Sequence, residues 1–271
     1  MLFVADIGNT VIKVGVYDKD VLKCTAGLSS AGNRSSDEYA VTLQAILQMN
    51  GVDARKIRGA VIASVVKPLS PVFGGAVEKL CGIKPLFMGP GVRTGLNIKI
   101  ERPSELGADI AAGCVGALSK YQPPFVVVGL GDATTLTLID REARLCGVLI
   151  CPGAFAGIQS LSRMAAELPV IALEPPKSLL GKNTVDSMNN GAVYGAAAMV
   201  EGLVERLREF SGEGQLPVIA TGTLCDIILP QCRIQAQQEP DLVLQGLKKV
   251  YELNNKRYKS APTEVLRLIG T

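Results

Sequence analysis

The chain has 271 residues, the length of one large domain or two medium ones, and its 48% hydrophobic content is enough for a folded core. Its 28 Lys and Arg against 25 Asp and Glu leave a charge of +3, which with 4% aromatics and no tryptophan argues against nucleic-acid binding. Histidine is absent, which excludes Ser-His-Asp and Cys-His nucleophilic sites and His-ligated zinc or haem.

Leu2–Ile7 and Val11–Tyr17 read as strands around the tight turn Gly8-Asn9-Thr10, and Asp18-Lys19-Asp20 turns the chain into a third strand, Val21–Ala26. Tyr39, Leu43, Ile46 and Leu47 predict a helix over Asp37–Met49. A buried strand, Ala60–Val66, and a helix over Pro71–Leu80 follow. After Ser104 a second helical run carries Ile110, Cys114, Val115 and Leu118 on one face. Tyr121-Gln-Pro-Pro124 is the strongest breaker, and the domain boundary is placed there, giving domains 1–121 and 122–271. A last helix is expected to pack back on the first domain.

Past the breaker the pattern restarts. Phe125–Gly129 and Thr135–Ile139 read as strands around the small-residue turn Gly131–Thr134, and Leu145–Ile150 as a third. Residues 125–150 therefore repeat the strand, glycine turn, strand, turn, strand order of residues 2–26. Helices are predicted over 155–167 and 186–210. In the second, Val193, Ala197, Val200, Val204 and Leu207 form an apolar stripe, and Gly195 beside Ala196–Ala198 permits close helix approach, in the core or at a subunit interface. Pro217–Thr221 is a final strand before Gly222.

Seven cysteines are scattered without a C-x-x-C pair, which reads as reduced, mostly buried thiols. The first residues lack the basic region of an export signal, and no run reaches the ~18 apolar residues of a membrane span, so a cytoplasmic protein without membrane contact is expected. Two α/β halves opening with turns rich in Gly, Thr and Asp suggest phosphate held by backbone N–H groups and hydroxyls. Taken alone, each turn is also an ordinary hairpin, and Asp109 also reads as the N-cap of the helix after it. No P-loop or dinucleotide fingerprint is present.

Five segments nevertheless occur together in one order: Asp6-Ile-Gly8-Asn9-Thr10, Gly107-Ala108-Asp109, Cys151-Pro152-Gly153, Leu180-Gly181-Lys182-Asn183-Thr184 and Ala220-Thr221-Gly222. In order and spacing they resemble type III pantothenate kinases, a family of the acetate kinase, sugar kinase, Hsp70 and actin superfamily. The resemblance implies an α/β fold of two ribonuclease-H-like (actin-like ATPase) domains with the active site in the cleft between them. It also implies a homodimer that uses ATP, Mg2+ and a monovalent cation, K+ or NH4+, to phosphorylate pantothenate, the first step toward coenzyme A.

Carried over by residue, Asp6, Gly8, Asn9, Thr10 and Lys13 form the first phosphate loop, with Asp6 toward Mg2+. Gly131, Asp132, Ala133 and Thr134 form the second, and Gly222 opens the adenosine loop. Gly107, Ala108, Asp109, Ile110 and Thr184 fall on substrate-binding positions, with Asp109 as the base that takes the pantothenate hydroxyl proton. Phosphoryl transfer is mostly positioning and charge stabilisation, so a carboxylate need only orient the hydroxyl and accept a late proton.

Four ligand positions depart from the family pattern. Gly129 stands where relatives carry the Asp that binds the monovalent cation, and it has no side-chain oxygen. Asp132 replaces a phosphate-donating Thr, and a carboxylate about 4 Å from a phosphate charge is repelled by about 4 kcal/mol at an effective dielectric near 20 unless a metal bridges them. Ile110 replaces an Arg suited to grip the pantothenate carboxylate, and Thr223 replaces a glycine. Two functions fit these residues. One is an active kinase with altered cation dependence. The other is a catalytically impaired paralogue that binds ligand or pairs as a heteromer with an active kinase.

Overall fold

The computed structural model describes residues 1–30 and 32–255. In chain order these form strands β1 (Leu2–Ile7), β2 (Val11–Asp18) and β3 (Val21–Ser29), helix α1 (Ser36–Met49), strand β4 (Gly59–Ser64), helix α2 (Leu69–Cys81), strands β5 (Leu86–Phe87) and β6 (Asn97–Ile98) and helix α3 (Ala108–Leu118). There follow strands β7 (Phe125–Leu130), β8 (Ala133–Ile139) and β9 (Arg144–Pro152), helices α4 (Ala154–Met164) and α5 (Thr184–Ser211), strand β10 (Val218–Thr221), helix α6 (Cys225–Ile228), strand β11 (Gln237–Gln238) and helix α7 (Leu242–Asn254). The chain divides into two compact units, Met1–Gly95 with Gly107–Val115 and the chain from Leu244, and Leu96–Leu106 with Gly116–Val243. The backbone therefore passes between units more than once, unlike a single cut at residue 121.

The sheet of the first unit has the order β3-β2-β1-β4-β5. Its β1 pairs antiparallel with β2 and parallel with β4. In the second unit the order is β11-β10-β7-β8-β9-β6, and β7 pairs antiparallel with β8 and parallel with β10. Read from β9 to β11, the second sheet repeats the first, with β6 added at one edge. The repeat between residues 2–26 and 125–150 is thus a repeat of topology, and the expected fold of two ribonuclease-H-like domains is the fold observed.

The long strands lie within a few residues of their predicted bounds. Strand β4 stops at Ser64, short of Val66, because the Ser64 hydroxyl takes the Val66 N–H at 3.2 Å and bends the chain out of the ladder. Strand β8 starts at Ala133, leaving only Gly131-Asp132 as the turn, closed by Gly131 N–H to Ala133 O at 3.2 Å. Strands β5, β6 and β11 have two residues each, too few for any periodicity to register.

In the first unit Phe3, Tyr39 and Phe73 are the largest buried rings, and Tyr39 meets Phe73 edge-on at 5.4 Å. Helix α1 reaches this core behind a capping box of Ser35 and Glu38. In the second unit α5 packs Ala197, Val200 and Val204 on Val126, Val128, Leu136 and Leu138, so the predicted stripe faces the core. Helix α5 contains Gly191, Gly195 and Gly202, each costing ~1 kcal/mol against alanine. Each fully buried valine contributes ~1.5 kcal/mol or more. Packing of the stripe, rather than helix propensity, therefore holds α5. The seven cysteines carry no disulfide, with Cys114 and Cys225 buried and the rest half-buried.

Candidate functional site

In the first unit the turn after β1 is built tightly. Gly8 N–H bonds Val11 O at 3.0 Å, and the Ser30 hydroxyl donates to Gly8 O at 2.6 Å. A Cβ on Gly8 would lie 2.9 Å from Val11 O, so the turn admits no larger residue without shifting. Asn9 and Thr10 are exposed at its tip, and Lys13 stands opposite Asp6 in the β1–β2 ladder. Ser30 carries no signal in the sequence, because its role arises from where β3 ends beside a turn 22 residues earlier.

Asp6 is the penultimate residue of β1 and Asp109 sits in the first turn of α3. Each carries an Oδ1 sealed from solvent without a hydrogen-bond partner among the described residues. Burial pushes the Asp6 carboxyl from 3.8 up to about 7, the Asp109 charge adds to the rise, and Lys13 opposes it. Burial also raises Asp109, while the backbone N–H groups of Ile110 and Asp109 pull the other way. Asp109 is not the N-cap of α3, since the first helical bond runs from Ala111 N–H to Gly107 O and places Asp109 inside the helix. Gly107 is required by proximity, as a Cβ there would lie 2.5 Å from Asp109 Oδ1. Ala108 and Ile110 flank it, both half-buried.

Two sealed, unpaired carboxylate oxygens are expensive in a folded protein without a ligand. They are the hard donors that Mg2+ takes, usually one or two carboxylates with waters and phosphate oxygens completing the shell. Asp6 therefore fits Mg2+, and the sealed oxygen of Asp109 beside it suits a proton acceptor. No cluster of three or more His, Cys, Asp or Glu suited to a metal occurs among the described residues.

In the second unit two of the sequence segments, Cys151–Gly153 and Ala220–Gly222, converge on the β7–β8 turn. Gly153 N–H bonds Asp132 O at 3.2 Å, and Leu224 N–H bonds Leu130 O at 3.0 Å just past Gly222. Gly222 has φ +118°, and a Cβ there would lie 2.2 Å from Leu130 O, so glycine alone is tolerated. Thr134 is buried with its hydroxyl unpartnered, whereas Ala133 at the turn is exposed. Gly129 faces Thr135 across the ladder, and a Cβ added to Gly129 would stand 2.6 Å from Thr135 Oγ1. Thr223 is exposed beside Gly222.

A groove of about 970 Å³ runs between α4 and α5 in the same unit. Its walls include Ile158, Leu161, Met188 and Met199, and Lys182 is the one charged side chain among its lining residues. Asn183 caps α5 by accepting the Asp186 N–H at 2.9 Å, which sets Thr184 at the groove as the first helical residue. The chain leading to this cap is fastened by Asn189 and Asn190 of α5, whose side chains bond Glu174 and Ser178. Adjacent asparagines in a helical pattern are the only trace of these anchors in the sequence.

A family model for type III pantothenate kinases matches residues 2–206. A type III pantothenate kinase of Shouchella clausii is 39% identical over 255 residues, 94% of this chain and all of the relative. One from Geobacillus thermodenitrificans is 39% identical over 263 residues, covering 95% and 99% of the two chains. Among solved structures, a candidate 2-dehydro-3-deoxygalactonokinase from Sinorhizobium meliloti superposes with a TM-score of 0.56 at 10% identity, over 94% of this chain and 99% of that one, a likeness of fold.

The raised Asp6 carboxyl has a consequence for stability. Between its unfolded value of 3.8 and its folded value of about 7, the native state binds a proton that the unfolded chain has lost, so stability falls as pH rises through that window. In chelator without nucleotide, wild type is expected to lose ~2–4 kcal/mol between about pH 4 and 7, and Asp6→Asn to lose much less. Urea midpoints across that range measure both, and parallel profiles for the two proteins would refute the assignment to Asp6.

Proposed function

Because this chain belongs to the type III pantothenate kinase family, we propose that it transfers the γ-phosphoryl group of ATP to the hydroxyl of pantothenate, the first step of coenzyme A synthesis. The observation that carries this is the pair of carboxyls Asp6 and Asp109, each with one oxygen sealed and without a hydrogen-bond partner among the described residues, in motifs that resemble the family's. Mg2+ held at Asp6 supplies charge neutralisation to the phosphate oxygens of ATP. Asp109 accepts the hydroxyl proton of pantothenate, and its burial keeps it basic enough to do so. The backbone at Asn9-Thr10 and the Lys13 ammonium take phosphate oxygens, as do the backbone at Asp132-Ala133 and the buried Thr134 hydroxyl, while the Gly8 and Gly131 N–H groups close their own turns. Gly222 leaves backbone room for adenosine, and Thr184 reaches pantothenate.

Ile110 offers no fork to the pantothenate carboxylate, so this chain places less of its affinity on that group. Gly129 offers no anionic oxygen to K+ or NH4+, and restoring one needs Thr135 to turn its hydroxyl away. The protein works as a cytoplasmic homodimer in this reading. Support for the dimer comes from α5, where Gly191 and Gly195 line the groove and a Cβ on either would meet nothing within 4 Å. Leu161, Met164 and Leu180 lie exposed beside it, the kind of apolar face that a second copy covers.

ADP release is expected to depend on pantothenate, and Asp109→Asn is expected to lower kcat about a hundredfold to ten-thousandfold, because an amide cannot take the proton. Turnover that ignores pantothenate, or an undiminished Asp109→Asn enzyme, would overturn the assignment. Exchanging Na+ for K+ is expected to change the rate less than about twofold, since hard cations need oxygen ligands that Gly129 lacks. Strong activation by K+ would mean that Asp132 or backbone oxygens rebuild the site. Light scattering at micromolar concentration is expected to give twice the chain mass of 28.5 kDa, and a monomer would remove the dimer.

A further inference from the structure

Asn189 and Asn190 are buried at 8% and 5% exposure in a helix whose following turns are apolar. Asparagine is a poor helix former, and a buried amide without partners is costly. These two are spent on one stretch of chain. Asn189 Oδ1 accepts the Glu174 N–H at 2.9 Å while its Nδ2 donates to Glu174 O at 2.9 Å, so a single amide closes both backbone groups of one residue. Asn190 Nδ2 donates to Ser178 O at 2.6 Å.

Before Glu174 the stretch is held by the buried Ile171, by Leu173 against the core and by the Ser162 hydroxyl on Pro169 O, and from Glu174 on by little besides the two asparagines. Among the described residues, no backbone-to-backbone hydrogen bond is made between residues 169 and 182, and Pro175-Pro176 removes two N–H donors. The strap then lands on the first turn of α5 at Gly181, where a Cβ would lie 2.2 Å from Ser187 N. Such contact is possible in one register only. Lys182, Asn183 and Thr184 follow directly, two of them exposed at the groove and the third starting the helix. Where Thr184 and Lys182 stand is therefore decided by where the strap is pinned, four to ten residues upstream, to asparagines five to eight residues downstream.

We propose that Asn189 and Asn190 are positioning residues for the acceptor: they pin residues 174–178 to α5 and so set Lys182–Thr184 in the geometry that binds pantothenate. This rests on the reading of Thr184 as an acceptor contact. Neither asparagine touches the reacting atoms, and the device is local to the second unit. Its effect falls on acceptor binding, leaving ATP binding at the β7–β8 turn alone.

The test compares Asn189→Ala, Asn189→Asp and Asn190→Ala with wild type in steady-state kinetics, alongside hydrogen–deuterium exchange over residues 174–183. KM for pantothenate is expected to rise roughly tenfold in each alanine variant, with KM for ATP within about twofold and faster exchange confined to the strap. Asn189→Asp gives a readout that a merely structural role would not move. Its ionised carboxylate keeps the bond from Glu174 N–H but repels Glu174 O, and its protonated form donates again. The ratio of its KM to that of wild type is expected to fall toward one as pH drops from about 8 to about 5.5, while the Asn189→Ala ratio stays flat. Unchanged pantothenate KM with faster strap exchange, or equal rises in both KM values, would overturn the proposal and leave the kinase reading standing. Absence of pantothenate-dependent turnover in wild type would overturn that reading and this proposal with it. Where Asn189→Ala does not fold, Asn190→Ala, which leaves both Glu174 bonds in place, decides by the same measurements.

Discussion

Each unit depends on one central strand, β1 or β7, that pairs antiparallel with its successor and parallel with a strand reached much later in the chain. A parallel neighbour brings two carboxyl ends side by side, and an antiparallel hairpin brings a tight turn to the same edge. The groups that end up there are Asp6 and the Gly8 turn in the first unit. In the second they are the Gly131-Asp132 turn, Gly153 and Gly222. Ligands of open α/β sheets collect outside the carboxyl ends of such strands for this reason. Without the β1–β4 and β7–β10 pairings, these residues would lie in separate loops.

Crowding at that edge explains the glycines better than flexibility does. Gly107, Gly153 and Gly222 each face an oxygen at a distance that a methyl group could not keep, 2.5, 2.4 and 2.2 Å from an imagined Cβ. Backbone N–H groups can point at a phosphate only where side chains are absent. Burial raises the Asp6 and Asp109 carboxyls and leaves one oxygen of each without a hydrogen-bond partner among the described residues, a perturbation that clusters at functional sites.

Helix α5 shows one element serving three tasks through three faces. Ala197, Val200 and Val204 build the core. Gly191 and Gly195 leave an open groove wall. Asn189 and Asn190 fasten the strap that precedes the helix. A helix that spends its residues this way has weak intrinsic propensity, and its buried valines compensate.

Local chemistry was legible in the chain itself. Alternation and helical spacing placed the long strands and helices within a few residues, and the restart after Tyr121–Pro124 announced a repeated topology. Motif order identified the family, and the replacements Gly129, Asp132, Ile110 and Thr223 could be named because a missing or added charge is a property of residue type. Tertiary structure decided what depends on neighbours distant in sequence. The return of the chain at Gly107–Val115 to the first unit follows from packing, which no local window records. The steric bar that Thr135 raises against a side chain at Gly129 exists only in the β7–β8 register. The Ser30 bond to Gly8, the sealing of Asp6 and Asp109 and the two-asparagine clamp arise the same way. A polar side chain's role is set by which backbone group stands within about 3 Å of it, and that is a fact of the folded chain.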